Sequence, residues 1–276
     1  MAINFGCLLV SLVLGLPPLF AAKQIENSKL QSNSQQVLLH AHAHNDYYHQ
    51  RPLLDALERG FFSVEADVFL VGQKLLIGHS RWEFKPGRTL SKLYLEPLAA
   101  MVKKSPQLFQ QARPFIILID FKGDGEPIYR KLKQELQPYR DILCGFRDEK
   151  FETKPIQIII SGNCPRRSIL QDPNRLVGID GRLSDLDSDI DSDSMPLISA
   201  RWGANFKWRG RTNLTNKESK KLKSFVQKIH AKKQLIRFWA TPENRKVWKF
   251  LLDNQVDLIN TDKIDELKDF LRAANK

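Results

Sequence analysis

The chain has 276 residues and a formal net charge of +12 at pH 7, with 43 Lys and Arg against 31 Asp and Glu. No repeat and no zinc-ligand spacing is present, which argues against a repeat array and a zinc module. The excess charge permits peripheral contact with an anionic membrane, but much of it lies in the amphipathic segment 217–233, where a solvated helix face explains it more simply. We expect no nucleic-acid partner, and the sequence specifies no oligomeric state.

The amino-terminal region is predicted to direct export. Residues 1–22 carry no charge and end in small residues, as in a signal peptide. The alternative is a membrane anchor formed by residues 5–22, because about 18 apolar residues is the lower limit for a span. Two prolines in this run favour the signal peptide. Residues 23–36 are polar and aperiodic and predict a flexible leader, so the protein is expected to be secreted or periplasmic.

The body, residues 37–276, alternates strand-like and helix-like segments and is predicted to be one domain. Apolar runs predict strands at 37–44, 62–70, 74–80, 114–122, 155–163, 175–180, 196–202, 234–241 and 256–262. Helical patterns lie at 52–60, 125–143, 217–233 and 242–255. This order predicts an α/β fold with parallel strands, and its count favours a closed TIM-type (β/α)8 barrel over an open sheet. No glycine-rich phosphate loop follows the first strand, which weakens a nucleotide-binding hypothesis.

Polar side chains stand near the carboxyl ends of several predicted strands. Because side chains alternate along a strand, Glu65 and Asp67 share one face, opposite an apolar face. Asp120 and Lys122 likewise share a face, and His44 ends the first strand. Barrel active sites lie at this end of the strands. Two carboxylates at this spacing suit a hard divalent cation, without which their charges would repel.

The motifs resemble a known superfamily. Segment 43–80, AHNDYYHQRPLLDALERGFFSVEADVFLVGQKLLIGHS, resembles the catalytic core of the PLC-like phosphodiesterases, which include glycerophosphodiester phosphodiesterases and phosphatidylinositol-specific phospholipases C. The resemblance continues in order through LIDFK, ISGNCPR, GIDGRLSDL, MPLIS, FKWRG, IRFWATPE and VDLINTD. Together these motifs are most similar to the branch named for altered inheritance of mitochondria protein six.

The resemblance implies a set of site residues. His44 and His79 would be the catalytic acid–base pair, and Lys122 would face the phosphate. The implied ligands of one divalent cation, Ca²⁺ or Mg²⁺, are Asn45, Glu65, Asp67 and Asp120. The nucleophile would be water or a hydroxyl of the substrate, and the resemblance leaves open which histidine is the acid.

Two departures from the glycerophosphodiesterase pattern bear on the substrate. Asn45 stands where those enzymes have Arg, and Ser80 stands where they have Asp. We therefore expect a small phosphodiester or lipid-headgroup substrate, of the glycerophosphodiester or phospholipid type. The alternatives are a non-catalytic barrel that binds phosphate or lipid headgroups, and a metal-dependent amidohydrolase, which the pair His42 and His44 resembles.

Weaker candidates lie at other strand ends. Asn163 and Arg166 follow a predicted strand and are candidates for phosphate contact, and Trp239 is a candidate for substrate contact at the barrel mouth. The acidic run 185–193 lacks the glycine and distal glutamate of a calcium loop, so a solvated loop is the better prediction. Cys144 and Cys164 remain after signal removal, and the sequence leaves their pairing open.

Overall fold

The computed structural model describes residues 36–274, so the predicted signal peptide and nearly all of the predicted leader lie outside the described residues. The strands are β1 Ala41–Ala43, β2 Ser63–Val71, β3 Lys74–Ile77, β4 Phe115–Phe121, β5 Gly145–Arg147, β6 Lys150–Glu152, β7 Ile156–Gly162, β8 Gly178–Gly181, β9 Leu197–Arg201, β10 Leu235–Trp239 and β11 Leu258–Thr261. The α-helices are α1 Leu54–Glu58, α2 Glu96–Lys104, α3 Gly125–Leu136, α4 Arg166–Leu170, α5 Trp202–Asn205, α6 Asn216–Ala231, α7 Arg245–Asp253 and α8 Ile264–Ala274.

Eight of these strands form a closed parallel barrel, as the alternation of strands and helices predicts. The neighbours run β1, β2, β4, β7, β8, β9, β10 and β11. The ring closes at β1, where Ala41 pairs in parallel with Ile259 and Ala43 pairs with Val64. The fold is therefore a TIM-type (β/α)8 barrel.

Two apolar clusters divide the barrel wall into an outer and an inner face. The larger cluster lies between the strands and the helices and includes Val64, Ala66 and Val68 of β2, all fully buried. The smaller cluster contains inward-facing aliphatic side chains, which are Ile116, Leu118, Ile159, Leu197 and Leu258. These aliphatic side chains fill the barrel interior and close it from below. The polar residues nearer the carboxyl ends of the strands lie above this closed interior, where a site can form.

Two predicted strands are shorter than expected. The segment 37–44 contributes only Ala41–Ala43, because a turn in which the Ala41 amide donates to the Leu38 carbonyl at 3.0 Å interrupts it. The segment 74–80 ends at Ile77 and pairs antiparallel with β2, outside the barrel. Only two residues join these strands, so a parallel crossover is impossible.

Other local differences have local causes. The helix predicted over 125–143 ends at Leu136 and continues as a 3-10 segment, Gln137–Ile142. Pro138 accounts for this change, because proline lacks the amide that the α-helical ladder needs. The hairpin of β5 and β6 was not predicted, since its two turn residues, Asp148 and Glu149, adopt positive φ without being glycine.

The lysine-rich segment forms the predicted amphipathic helix. Thr215 caps α6, its Oγ1 accepting the Glu218 amide at 3.2 Å, while Leu222, Val226 and Ile229 are buried. Within residues 36–274, no helix combines the length and the apolar character that a bilayer span requires. Cys144 and Cys164 are both free thiols.

Candidate active site

Three carboxylates converge at the carboxyl ends of β2 and β4. Glu65 and Asp67 are buried on the inward face of β2, and Asp67 pairs in register with Asp120 of β4. One oxygen from each carboxylate lies within 4.8 Å of the others. The alternation of side chains thus places Glu65, Asp67 and Asp120 on one face, as the sequence predicts.

Asp67 is the most constrained of the three. Its Oδ2 accepts hydrogen bonds from the Tyr47 hydroxyl at 2.7 Å and the Lys122 ammonium at 3.0 Å, and it lies 2.9 Å from His79 Nδ1. Its Oδ1 is buried, and no donor in residues 36–274 reaches it. A buried carboxylate oxygen without a partner is costly, so this atom fits a bound cation.

Glu65 is held ionised by a buried arginine. Burial raises the pKa of Glu65, but Arg237 and the contact with His42 lower it by more, leaving it well below its usual range. Arg237 Nη1 donates to Glu65 Oε2 at 2.8 Å. The ion pair with Arg237 is therefore made through Oε2 of Glu65.

His42 belongs to this structural network. Arg237 Nη1 donates to His42 Nε2 at 3.0 Å, so this nitrogen is an acceptor and the ring proton lies on Nδ1, which donates to Ser63 Oγ at 2.7 Å. Burial lowers the pKa of His42 to about 4, so the ring is neutral. Both nitrogens are occupied, which argues against the amidohydrolase hypothesis, since that chemistry needs His42 as a metal ligand.

Asp120 lies at the edge of the cluster and is partly buried. Burial and the charges of Asp67 and Glu65 together raise the pKa of Asp120 to about 6, against the opposing effect of Lys122. Lys122 Nζ lies 3.3 Å from Asp120 Oδ1. Burial lowers the pKa of Lys122, but the two carboxylates raise it by more, so the ammonium stays charged. The three carboxylates therefore face two cations, Lys122 and Arg237, and the cluster carries surplus negative charge.

His44 stands on the β1–β11 side of the cluster, where Asp262 holds it. Its Nδ1 lies 2.8 Å from Asp262 Oδ1, and the Asp262 amide donates to Glu243 Oε1 at 2.6 Å. Burial lowers the pKa of His44, but the bond to Asp262 and the nearby charges raise it by more, so it lies above the usual value. Asp262 was not among the predicted site residues, although it ends the last predicted strand.

Tyr47 is a second residue that sequence reasoning missed. Its hydroxyl lies 2.7 Å from both Asn45 Oδ1 and Asp67 Oδ2. Burial and the charge of Asp67 raise the pKa of Tyr47, so the phenol keeps its proton. Asn45 adopts φ 48°, which turns the chain into the short helix that carries Tyr47. The Asn45 amide oxygen, predicted as a metal ligand, thus faces Tyr47 in this structure.

His79 lies in the turn after β3 rather than within a strand. Its side chain is 57% exposed, its Nδ1 contacts Asp67, and its amide donates to Glu83 Oε2 at 2.8 Å. The structure therefore places His79 against Asp67 and His44 within electrostatic reach of Glu65. Each histidine has a carboxylate at Nδ1, which leaves Nε2 as the nitrogen for proton transfer.

The three weaker candidates differ in their surroundings. Asn163 donates its amide to the Gly123 carbonyl at 2.9 Å. Arg166 forms a two-pronged ion pair with Asp185, at 2.8 and 3.0 Å, which occupies its guanidinium. Trp239 is exposed at the end of β10. Phosphate or substrate contact by these three residues stays a prediction.

Comparison with known sequences places the chain in a family. The profile of the AIM6-like phosphodiesterase domain matches residues 31–177, more than half of the chain. The chain belongs to the AIM6-like phosphodiesterase family. Altered inheritance of mitochondria protein 6 of Eremothecium gossypii is 29% identical over 271 residues, covering 85% of this chain and 70% of that protein. Its homologue in Arthroderma benhamiae is 28% identical over 268 residues, covering 85% and 84%.

Solved structures share the barrel of this AIM6-like chain. A glycerophosphodiester phosphodiesterase from Parabacteroides distasonis has a TM-score of 0.51 at 14% identity, covering 87% of this chain and all of that one. A calcium-dependent phosphoinositol-specific phospholipase C from Pseudomonas sp. has a TM-score of 0.54 at 12% identity, covering 84% and 93%. At these identities the likeness concerns the fold alone, and it agrees with the TIM-type barrel that the sequence predicts.

Proposed function

We propose that this protein is a metal-dependent phosphoric diester hydrolase that acts on a glycerophosphodiester or phospholipid-type substrate. The observation that carries the proposal is the buried, unpartnered Oδ1 of Asp67 in a trio of carboxylates that two carboxylate-held histidines flank. The family supports phosphodiester chemistry, and the calcium-dependent phospholipase C that shares the barrel supports a divalent cation.

The donor set fits Ca²⁺ or Mg²⁺, both of which take oxygen ligands. Glu65, Asp67 and Asp120 would hold the cation through carboxylate oxygens, and Asn45 would join them if its amide oxygen left Tyr47. When bound, such a cation supplies a Lewis acid for a phosphoryl oxygen and neutralises the crowded carboxylates.

The remaining chemistry belongs to side chains of this protein. The Nε2 atoms of His44 and His79 would move protons, one taking the proton of the nucleophile and the other supplying a proton to the leaving oxygen. Asp262 and Asp67 orient the two rings through Nδ1. Lys122 keeps a positive charge beside Asp67, where it would attract a phosphate oxygen. The nucleophile would be water or a substrate hydroxyl.

The test is an assay of the purified protein on a panel of glycerophosphodiesters and phospholipids, after chelation and after restoring Ca²⁺ or Mg²⁺. We expect activity to require the cation and to fall about 10²- to 10⁴-fold in His44→Ala and in His79→Ala. His230→Ala is the control, because His230 pairs with Asp257 on the outside of the barrel. Activity that ignores the chelator and survives His44→Ala would refute the mechanism. Phosphorus NMR of the product distinguishes a cyclic from a hydrolysed phosphate.

One observation favours a second candidate, a non-catalytic barrel that binds lipid headgroups. Arg237 donates to Glu65 Oε2 at 2.8 Å, and this buried ion pair would weaken cation affinity. In that case the protein would be inactive on every diester yet would still bind a headgroup phosphate.

Export is part of the same proposal and rests on the sequence. The apolar run at 5–22 would direct the protein to a secreted or periplasmic location. Amino-terminal sequencing of the exported protein tests this. A start near residue 23 would support a cleaved signal peptide, and an intact terminus in the membrane fraction would indicate an anchor.

A further inference from the structure

We propose that a basic pocket beside the barrel mouth binds a phosphomonoester group, at a site separate from the carboxylates. The pocket encloses about 520 Å³ between the segments that follow β9 and β10. Both segments leave the carboxyl ends of neighbouring barrel strands, so the pocket opens on the same face as the candidate active site. The proposal concerns binding and does not depend on catalysis by this protein.

The charge of the pocket is strongly unbalanced. Its cationic side chains are Arg209, Arg211, Arg245 and Lys246, and all four are exposed. No carboxylate in residues 36–274 forms an ion pair with any of them. The single acid of the lining, Glu243, has one oxygen engaged by the Asp262 amide at 2.6 Å. Four cations lining one pocket against a single carboxylate raise the local potential and favour a compact, multiply charged anion.

The backbone around these cations is firmly held. Asn244 Oδ1 accepts the Val247 amide at 3.1 Å and caps α7, while its Nδ2 donates to the Arg209 carbonyl at 3.2 Å. Gly210 is buried at φ +78°, and a Cβ there would lie 2.6 Å from Asn244 Oδ1. One side chain thus ties the arginine-bearing loop to the first turn of α7. The guanidinium groups are presented from fixed backbone positions, which lowers the entropy lost on binding.

The start of α7 adds to the same potential. Arg245 is the first residue of this nine-residue helix, and its first turn holds no acid. The positive end of the helix dipole and these cations repel each other, a cost that an anion in the pocket would remove. Arginine also suits phosphate because its fork donates two parallel hydrogen bonds. No aromatic side chain lines the pocket to stack a base. A phosphomonoester therefore fits better than a nucleic acid.

Titration calorimetry on the full-length chain tests the pocket, with inorganic phosphate and glycerol 3-phosphate as probes, in EDTA and at low salt. The variant is Arg209→Gln/Arg245→Gln. A charge-matched control is Lys223→Gln/Lys228→Gln on the exposed face of α6, where both lysines lie outside any ion pair in residues 36–274. We expect affinity for both probes to fall at least tenfold in the pocket variant and to stay within twofold of the parent in the control.

A vesicle-binding assay distinguishes a lipid headgroup from a free phosphate ester as the ligand of the pocket. The same proteins are sedimented with phosphatidylcholine vesicles, with and without phosphatidic acid. A loss of vesicle binding confined to the pocket variant assigns the site to lipid headgroups, whereas a loss for the soluble probes alone assigns it to free phosphate esters. If the pocket variant does not fold, Arg211→Gln/Lys246→Gln replaces it. No phosphate binding by the parent, or equal losses in the pocket and control variants, would overturn the proposal.

Discussion

Replacing Arg237 by methionine is expected to destabilise the barrel strongly. Arg237 is 3% exposed and donates to Glu65 at 2.8 Å, to His42 at 3.0 Å and to Ser199 at 3.1 Å. Methionine keeps much of the side-chain volume but removes every donor. Glu65, also buried, would then hold a negative charge without its partner.

The expected loss in the free energy of unfolding depends on whether Glu65 stays charged or takes up a proton. Breaking a buried ion pair from one side costs about 3–5 kcal/mol. Glu65 can avoid this charge by taking up a proton. Because pH 7 lies about 2.7 units above the ordinary pKa of glutamate, this protonation costs about 4 kcal/mol. We therefore expect Arg237→Met to lower the free energy of unfolding by about 4 kcal/mol. For a domain of this size that is a drop in Tm of about 8–16 °C.

The assay is thermal and urea unfolding in EDTA, so that no cation compensates for the lost charge. A double variant, Glu65→Gln/Arg237→Met, replaces the orphaned carboxylate by a neutral amide and should recover at least about 1.5 kcal/mol relative to Arg237→Met alone. Arg237→Lys keeps the charge but loses the fork and should be intermediate. A double variant as unstable as the sum of its two single variants would refute the reasoning.

Three further predictions concern other parts of the molecule. Asp262→Asn should lower turnover about 10- to 100-fold while leaving the fold intact, because the carboxylate that orients His44 is 57% exposed. Burial raises the pKa of Asp172, but the ammonium of Lys133 and hydrogen bonds from Asn174 and Tyr129 lower it by more. The contribution of Asp172 to stability is therefore present above the unfolded pKa and is lost as the pH falls through the folded pKa. Asp172→Asn should therefore cost about 2 kcal/mol at pH 7, and the cost should shrink as the pH falls below the ordinary aspartate pKa, measured by urea unfolding. Trp248→Ala should cost about 3–5 kcal/mol because Trp248 is fully buried, whereas Trp82→Ala should cost less than about 0.5 kcal/mol because Trp82 is 96% exposed.

Each of these has an outcome that contradicts it. Parental turnover in Asp262→Asn would mean that His44 needs no partner at Nδ1. A deficit in Asp172→Asn that does not change with pH would point to lost packing instead of lost charge. A similar fall in Tm for Trp248→Ala and Trp82→Ala would contradict the third prediction. It would mean that the Trp82 ring packs against something other than residues 36–274.

The sequence predicted much of the site because strand geometry is local. Side chains alternate every two residues, so the spacing of Glu65 and Asp67, and of Asp120 and Lys122, places each pair on one face without any knowledge of the partner strands. Apolar residues at the intervening positions show which face meets the helices. The same reasoning placed His79 on a strand and was wrong, because β3 ends at Ile77 and the chain turns there.

The sequence by itself determined the barrel, the inward carboxylates and the family, since these depend on periodicity and on ordered motifs. Only the tertiary structure decided what surrounds those carboxylates. Asp262 is 218 positions from His44, and Arg237 is 172 positions from Glu65, so barrel closure alone brings each pair together. Periodicity indicates which face a side chain takes, but not which distant strand supplies its partner. The unpartnered oxygen of Asp67 is a property of that assembled interior.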